Sequence, residues 1–260
     1  MGSIGVTVLG SGSKGNAILV HNDRSGLLVD AGFSLKETRK RMAQMGLCES
    51  LVKGILVTHE HVDHVCGLRV CANHFQVPIY ASRLCADHLH IKDAKLRVNV
   101  IFTPGEEFAV AGFKILPFSV QHDAVEPVGY VLSTSSRRVG IAMDLGQFGQ
   151  MAEYQLRSCD TLALESNHDL DLLAASNRPW RLKQRILGSH GHLSNVQSQE
   201  LLSRTISNNT QNLLLVHISR ECNTYELAEQ GAREKLQDLG RGDVSLQAAK
   251  QDEALPTVWA

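Results

Sequence analysis

Short apolar runs separated by polar turns predict strands at residues 4–9, 16–20, 27–30 and 53–57. Ser34 with Glu37 three positions later is a capping-box signature that opens a helix ending near Gly46. Val65, Leu68, Ala72 and Phe75 recur at helical spacing, so a helix is expected over 65–75. Further strands are predicted at 77–81, 98–102 and 113–120, followed by a hairpin of 129–133 and 139–143 turned about Ser135, Ser136 and Arg137. The second half reads as helix 147–157, strand 161–165, helix 169–186, a helix capped by Ser194 and Gln197, strand 212–216 and helix 224–239, stopped by Gly240. Residues 1–240 therefore read as a single domain and 241–260 as a loosely ordered C-terminal tail with at most one strand. Strands lead and helices then interleave, which predicts α/β sheets flanked by helices. The sequence has no evident repeat, linker or low-complexity tract.

The polar residues that interrupt this pattern carry the chemistry. Thr58-His59-Glu60-His61-Val62-Asp63-His64 follows an apolar strand and precedes a helix, so three histidines and two carboxylates share one loop. Packing does not call for such a cluster, and imidazole with carboxylate suits zinc, manganese or iron. Four more residues stand where an apolar strand ends: Asp30, His122, Asp144 and His217. Ends of parallel strands converge on one sheet edge, where α/β proteins place ligands. A metal site is the expectation.

Composition narrows the setting. A hydrophobic fraction of 43% supports a sizeable core, and a formal net charge of −1 announces neither a nucleic-acid nor a membrane binder. Six cysteines form no CxxC pair, and neither an export leader nor a spanning apolar run is evident, so a cytoplasmic enzyme without membrane contact is expected. Cys66 and Cys71 lie near the histidine loop and read as small buried hydrophobes, against the alternative of metal ligands.

Five segments together resemble the metallo-β-lactamase superfamily and, within it, the nuclease-like YycJ/WalJ type. They are Ser11 to Asn16, Thr58 to His64, Glu165 to Asp169, Gly191 to Asn195 and His217 to Asn223. The resemblance implies a four-layer αββα sandwich with two central mixed sheets. It also implies two divalent metal ions, zinc or manganese with iron as a further option. On that basis His59, His61 and His122 hold one ion, Asp63, His64 and His217 the other, and Asp144 bridges them. Asp30 becomes a buried acid that holds the metal loop. Ser11 and Asn16 form a tight turn near the metals.

His192 precedes a helix N-terminus and is placed to protonate a leaving alkoxide, which phosphodiester cleavage needs. Ribonuclease Z-like relatives use a histidine at the matching position. His190 and His168 are second candidates for the acid, with Glu165 placed to orient one of them. Asp63 doubles as the residue that orients the nucleophile. The expected function is a dinuclear phosphodiesterase, a DNA exonuclease working 5′ to 3′ on a DNA end or oligonucleotide. The competing readings are a small-molecule hydrolase acting on a cyclic phosphate, lactone or thioester, an iron redox enzyme, and a metal-binding module without catalysis. Residues 177–185 are basic and carry Trp180; they read as an amphipathic helix with Leu182 and Ile186 inward, against the alternative of a nucleic-acid track.

Overall fold

The computed structural model describes residues 2–260. Six strands, β1 (Gly5–Gly10), β2 (Ala17–His21), β3 (Gly26–Val29), β4 (Val52–Leu56), β5 (Ile79–Ser82) and β6 (Val100–Phe102), lie side by side in chain order. The second sheet holds β7 (Phe108–Val110), β8 (Phe113–Ser119), β9 (Val128–Ser133), β10 (Arg138–Ala142), β11 (Thr161–Glu165), β12 (Asn212–Val216) and β13 (Ser245–Ala248), again in chain order. The last strand, β14 (Val258–Trp259), returns to pair with β1 and completes the first sheet.

Both sheets share one pattern. Three antiparallel pairings lead into three parallel ones, which join β3 to β6 in the first sheet and β10 to β13 in the second. Parallel strands need crossover connections, and helices supply them. These are α1 (Leu35–Gln44), α2 (Val62–Val65), α3 (Leu68–Phe75) and α4 (Arg83–Lys92) in the first half. In the second half they are α5 (Gln150–Leu156), α6 (Leu170–Ala175), α7 (Trp180–Leu187), α8 (Asn195–Thr205) and α9 (Tyr225–Asp238).

Alternation along the strands divides the core into three layers. Val6, Ile18, Val29 and Leu56 of one sheet meet Ile115, Leu132, Ile141 and Leu214 of the other in the central layer. Leu19, Leu28 and Ile55 face outward onto Met42 of α1, Leu68 of α3 and Leu89 of α4. Leu162, Leu164, Leu213 and Leu215 face outward onto Leu156 of α5, Leu202 of α8 and Ala232 of α9. With apolar layers on both faces, β11 and β12 read in sequence as unbroken apolar runs. The result is the αββα sandwich expected from the sequence.

Two expectations change, and one helix was not foreseen. The helix foreseen over 65–75 begins only at Leu68, and a short helix α2 takes up the end of the histidine loop; Gly67 between them passes so close to the loop before α1 that a Cβ there would lie 1.9 Å from the Phe33 carbonyl oxygen. The helix foreseen over 169–186 is also two, since Pro179 cannot donate into a helix and disfavours α conformation in the residue before it. The segment 83–92, between two predicted strands, is the helix α4. Only its Cys85, Ala86 and Leu89 are buried while Leu84 and Ile91 face out, so its apolar residues do not mark one face.

The C-terminal segment also departs from a loose tail. Residues 241–260 supply β13 and β14, an edge for each sheet, and bury Ala248, Ala249, Gln251 and Val258. Deleting them should bare β12 and β1 as edges. We expect the chain truncated after Gly240 to melt roughly 6–12 °C lower, the shift that about 3 kcal/mol gives in a domain of this size. An unchanged Tm in thermal denaturation would restore the tail to a dispensable appendage.

Candidate metal centre

The site lies beyond the C-terminal ends of the parallel strands in both sheets. Asp30 follows β3, the loop from Thr58 to His64 follows β4, Asp144 follows β10, Glu165 ends β11, and His217 follows β12. Asp30, Asp144 and His217 have φ of 61°, 56° and 54°. This left-handed conformation is uncommon outside glycine and is most tolerated by Asn, Asp and His. It turns each side chain off the end of its strand while the chain reverses.

One buried carboxylate organises the histidine loop. Asp30 Oδ1 accepts from Thr58 N at 2.8 Å, and Oδ2 accepts from Thr58 Oγ1 at 2.8 Å and from His64 Nδ1 at 2.7 Å. Thr58 Oγ1 lies 3.0 Å from His59 Nδ1; with its own proton given to Asp30, it accepts from that ring. Gly32 presses the same turn against the loop, since a Cβ there would lie 1.8 Å from Asp63 O.

The same tautomer recurs around the site. His122 Nδ1 donates to Gly191 O at 2.9 Å, and His217 Nδ1 to Glu165 Oε1 at 2.9 Å. His59, His64, His122 and His217 therefore each spend Nδ1 on a protein acceptor and present Nε2 to a common centre, the arrangement in which a neighbouring acceptor orients a metal-ligating ring. His61 is half-exposed, with Nδ1 3.3 Å from His122 Nε2.

The electrostatics call for positive charge. Burial alone would depress the His64 imidazolium, yet Asp144 and Asp30 hold it up to about 10. Burial likewise opposes charge on His217, but Asp144, Asp63 and Glu165 raise it well above an ordinary histidine. Against the cost of burial, His217 and His64 keep Asp144 ionised well below the usual carboxylate range. His59, desolvated and facing His64, is held neutral.

A cavity of about 180 Å³ opens onto this cluster. His192 lines it, with Nδ1 2.9 Å from Glu165 Oε1, so Nε2 is its free nitrogen. Glu165 is fully buried and also accepts from Leu145 N and Leu193 N at 2.8 and 3.1 Å. Burial works against its charge, and His192 and His217 bring its carboxyl down to about 2. Ser11 Oγ accepts from His217 N at 2.9 Å and donates to Asn16 Oδ1 at 2.8 Å; Asn16 Nδ2 donates to Asp63 Oδ2 at 3.3 Å. The Ser11–Asn16 turn thus braces two donors of the cluster.

Two second-choice acids fall away. His190 is exposed, with its ring 3.2 Å from Ser189 Oγ and outside the cavity lining. His168 is fully buried outside that lining, and burial pushes it down to about 4, which leaves it neutral. Cys71 is buried as expected, its thiol pushed up to about 11, whereas Cys66 is exposed. Sequence reasoning missed Asp123 and placed Arg178 and Arg185 only in a basic stretch read mainly as a solvated helix face; all three line the cavity. Asp123 Oδ1 lies 3.3 Å from His122 Nε2, and Oδ2 pairs with Arg185. Its place directly after a strand-end histidine was the one available signal.

The family described as "Beta-lactamase superfamily domain" matches residues 26–218. The chain belongs to the β-lactamase superfamily. It is 34% identical over 239 residues to exodeoxyribonuclease YycJ of Bacillus anthracis, covering 91% of this chain and 90% of that one. It is 32% identical over 257 residues to exodeoxyribonuclease WalJ of Streptococcus pneumoniae serotype 2 (strain D39), covering 96% of each. Its fold matches the metallo-β-lactamase fold protein YhfI of Bacillus subtilis with a TM-score of 0.73 at 17% identity, over 98% of this chain and 99% of that one.

The superfamily fold implies divalent metal ions, and the donor set fits them. Four groups, His59 with His61 and His122, His59 with His64 and Asp144, Asp63 with His64 and His217, and Asp144 with Glu165, His192 and His217, each bring their ligand atoms within 4.8 Å of one another. His59 Nε2, His217 Nε2 and Asp144 Oδ2 are buried with no hydrogen-bond partner among the described residues. Asp144 Oδ2 does lie 3.0 Å from His64 Nε2, but without hydrogen-bond alignment. Buried polar atoms are normally satisfied, and bound cations would satisfy these.

Because Asp30 supports the ligands without reaching the centre, Asp30→Ala should weaken metal affinity by roughly 10–100-fold. Metal titration followed by elemental analysis would detect this. Unchanged affinity would remove Asp30 from its organising role.

Proposed function

We propose that the chain is a dinuclear metal-dependent nuclease that hydrolyses phosphodiesters from the 5′ end of DNA. The observation that carries this reading is a carboxylate-anchored histidine, His192, beside a full set of ligand-type side chains in one cavity. The close relatives named as exodeoxyribonucleases support the choice of DNA.

His59, His61 and His122 would hold one ion and Asp63, His64 and His217 the second, with Asp144 between them. Bound there, divalent ions supply Lewis acidity, lowering the pKa of water towards neutrality and offsetting phosphate charge. Asp63 faces both the ligand cluster and the cavity, and its carboxylate orients the attacking water. His192 Nε2 gives its proton to the departing alkoxide as the P–O bond breaks, leaving an alcohol and a phosphate monoester. Glu165, bonded to Nδ1, fixes the ring and leaves Nε2 free. A buried carboxylate tied to two backbone amides and two histidines cannot rotate to accept the proton itself.

A second reading follows from the size of the cavity. At about 180 Å³ it encloses a phosphodiester and little more, so a small cyclic phosphate also fits. Metal content measured beside cleavage of end-labelled DNA in zinc, manganese or iron separates the two. Two metals per chain with stepwise nucleotide release supports the nuclease. Two metals with intact DNA and turnover of a cyclic phosphate moves the function to the small substrate.

His192→Ala should lower kcat by about 10²–10⁴-fold while metal content stays the same. Full turnover in that variant would sink the acid assignment.

A further inference from the structure

Helix α7 carries Ile186 into the protein and half-buries Leu182, as its sequence pattern predicted, and together with Leu173 and Cys222 they form a small apolar cluster. What packing leaves unexplained is the row of arginines along the edge that borders the metal cavity. Arg178 and Arg185 line that cavity directly. Along α7 itself runs a shallow, open depression bordered by Pro179, Arg181, Leu182, Gln184 and Arg185. Leu182 and Arg185 belong to both spaces, so the depression continues the cavity across this one helix edge.

We propose that Arg181 and Arg185 form a track for one single nucleic-acid strand, which leaves the scissile phosphate over Arg185 and runs into the depression. The inference rests on the nuclease reading and specifies its substrate: a strand extending at least one nucleotide past the cleaved bond. Four residues of helix separate the two arginines by about 6 Å along the axis, a spacing that suits neighbouring phosphates of an extended strand.

Charge favours this occupant. The chain as a whole carries −1, so the arginine row is a local feature. Arg181 is exposed and has no carboxylate within 4.0 Å among the described residues. Arg185 pairs with Asp123, yet its side chain remains 57% exposed, and such a pair gives up little when a phosphate takes its place. The cavity holds only the reacting group, so the remainder of any polymer must lie on its rim. Trp180 is 68% exposed but lines neither space, and its position on the helix is nearly opposite Leu182, which leaves it outside the track.

The test measures binding of a labelled, single-stranded, phosphorothioate-linked oligonucleotide, which keeps its charge and resists hydrolysis, to the metal-loaded protein. Fluorescence anisotropy is followed over a range of salt concentrations. Arg181→Ala is compared with Arg233→Ala, which removes the same charge from the exposed face of α9. Arg181→Ala is expected to weaken binding three- to tenfold at low salt and to flatten the slope of log K against log salt by about 0.7, the effect of one lost contact to a single strand. Arg233→Ala should match the wild type. If the wild type binds and cleaves oligonucleotides while the two variants behave alike, the track is wrong and the nuclease reading stands. If the wild type neither binds nor cleaves oligonucleotides yet hydrolyses thymidine 5′-(p-nitrophenyl phosphate), both readings fall.

Discussion

The site depends on a single buried carboxylate. Asp30 gathers three donors from the loop after β4, and each bond fixes something different: the backbone at Thr58, the hydroxyl that turns His59, and the ring of His64. A carboxyl group at full burial is costly unless its oxygens are hydrogen-bonded, and here both are engaged. The same contacts that make Asp30 tolerable therefore dictate where the metal-facing nitrogens point. Gly32, two residues on, keeps the arrangement tight by leaving no room between the turn and Asp63.

A second constraint is the repeated order of the two sheets. Each half runs through three antiparallel pairings into a parallel set, and the parallel halves end on the same rim. Asp30 closes β3 of one sheet and Asp144 and His217 close β10 and β12 of the other, all three left-handed. A donor set drawn from both sheets fixes the distance between them, so the centre is as rigid as the sandwich. Glu165 extends the logic: one carboxylate oxygen meets both His192 and His217, coupling the nitrogen offered to a leaving group with one offered to an ion.

How much of this was legible in the sequence varies with the physics of each element. Strands β11 and β12 match their expected bounds because both faces are buried, which writes an uninterrupted apolar run with polar ends. The Ser194 capping box is present with both reciprocal bonds, whereas at Ser34 only half forms, since Glu37 turns instead to Arg41 at 2.8 Å. Helix α4 was invisible because exposed Leu84 and Ile91 blur its buried face. The repeat of sheet order left no trace, because hydrogen-bond topology constrains burial and not residue identity. In the candidate site, the clustered and strand-end residues were readable from their improbable positions. Asp123 was not, and Arg178 and Arg185 showed only as part of a basic stretch, since a charged residue bordering a cavity looks in sequence like any solvated one.

The C-terminal residues show why a polar composition misleads. Gln251 is almost fully buried, and its side chain accepts from Lys14 N at 2.8 Å and donates to Gly15 O at 3.0 Å. Its carbonyl receives Arg41 Nη1 at 2.9 Å, and that guanidinium, stacked 4.0 Å from the Phe33 ring centre, also reaches Leu9 O. The segment thus clamps both ends of the Ser11–Asn16 turn, which in turn braces His217 and Asp63. Polar residues here satisfy the backbone of a glycine-rich turn that has no regular partner of its own. Segment 241–260 is consequently part of the wall that holds the centre, and its sequence looks loose because its work is hydrogen bonding more than apolar packing.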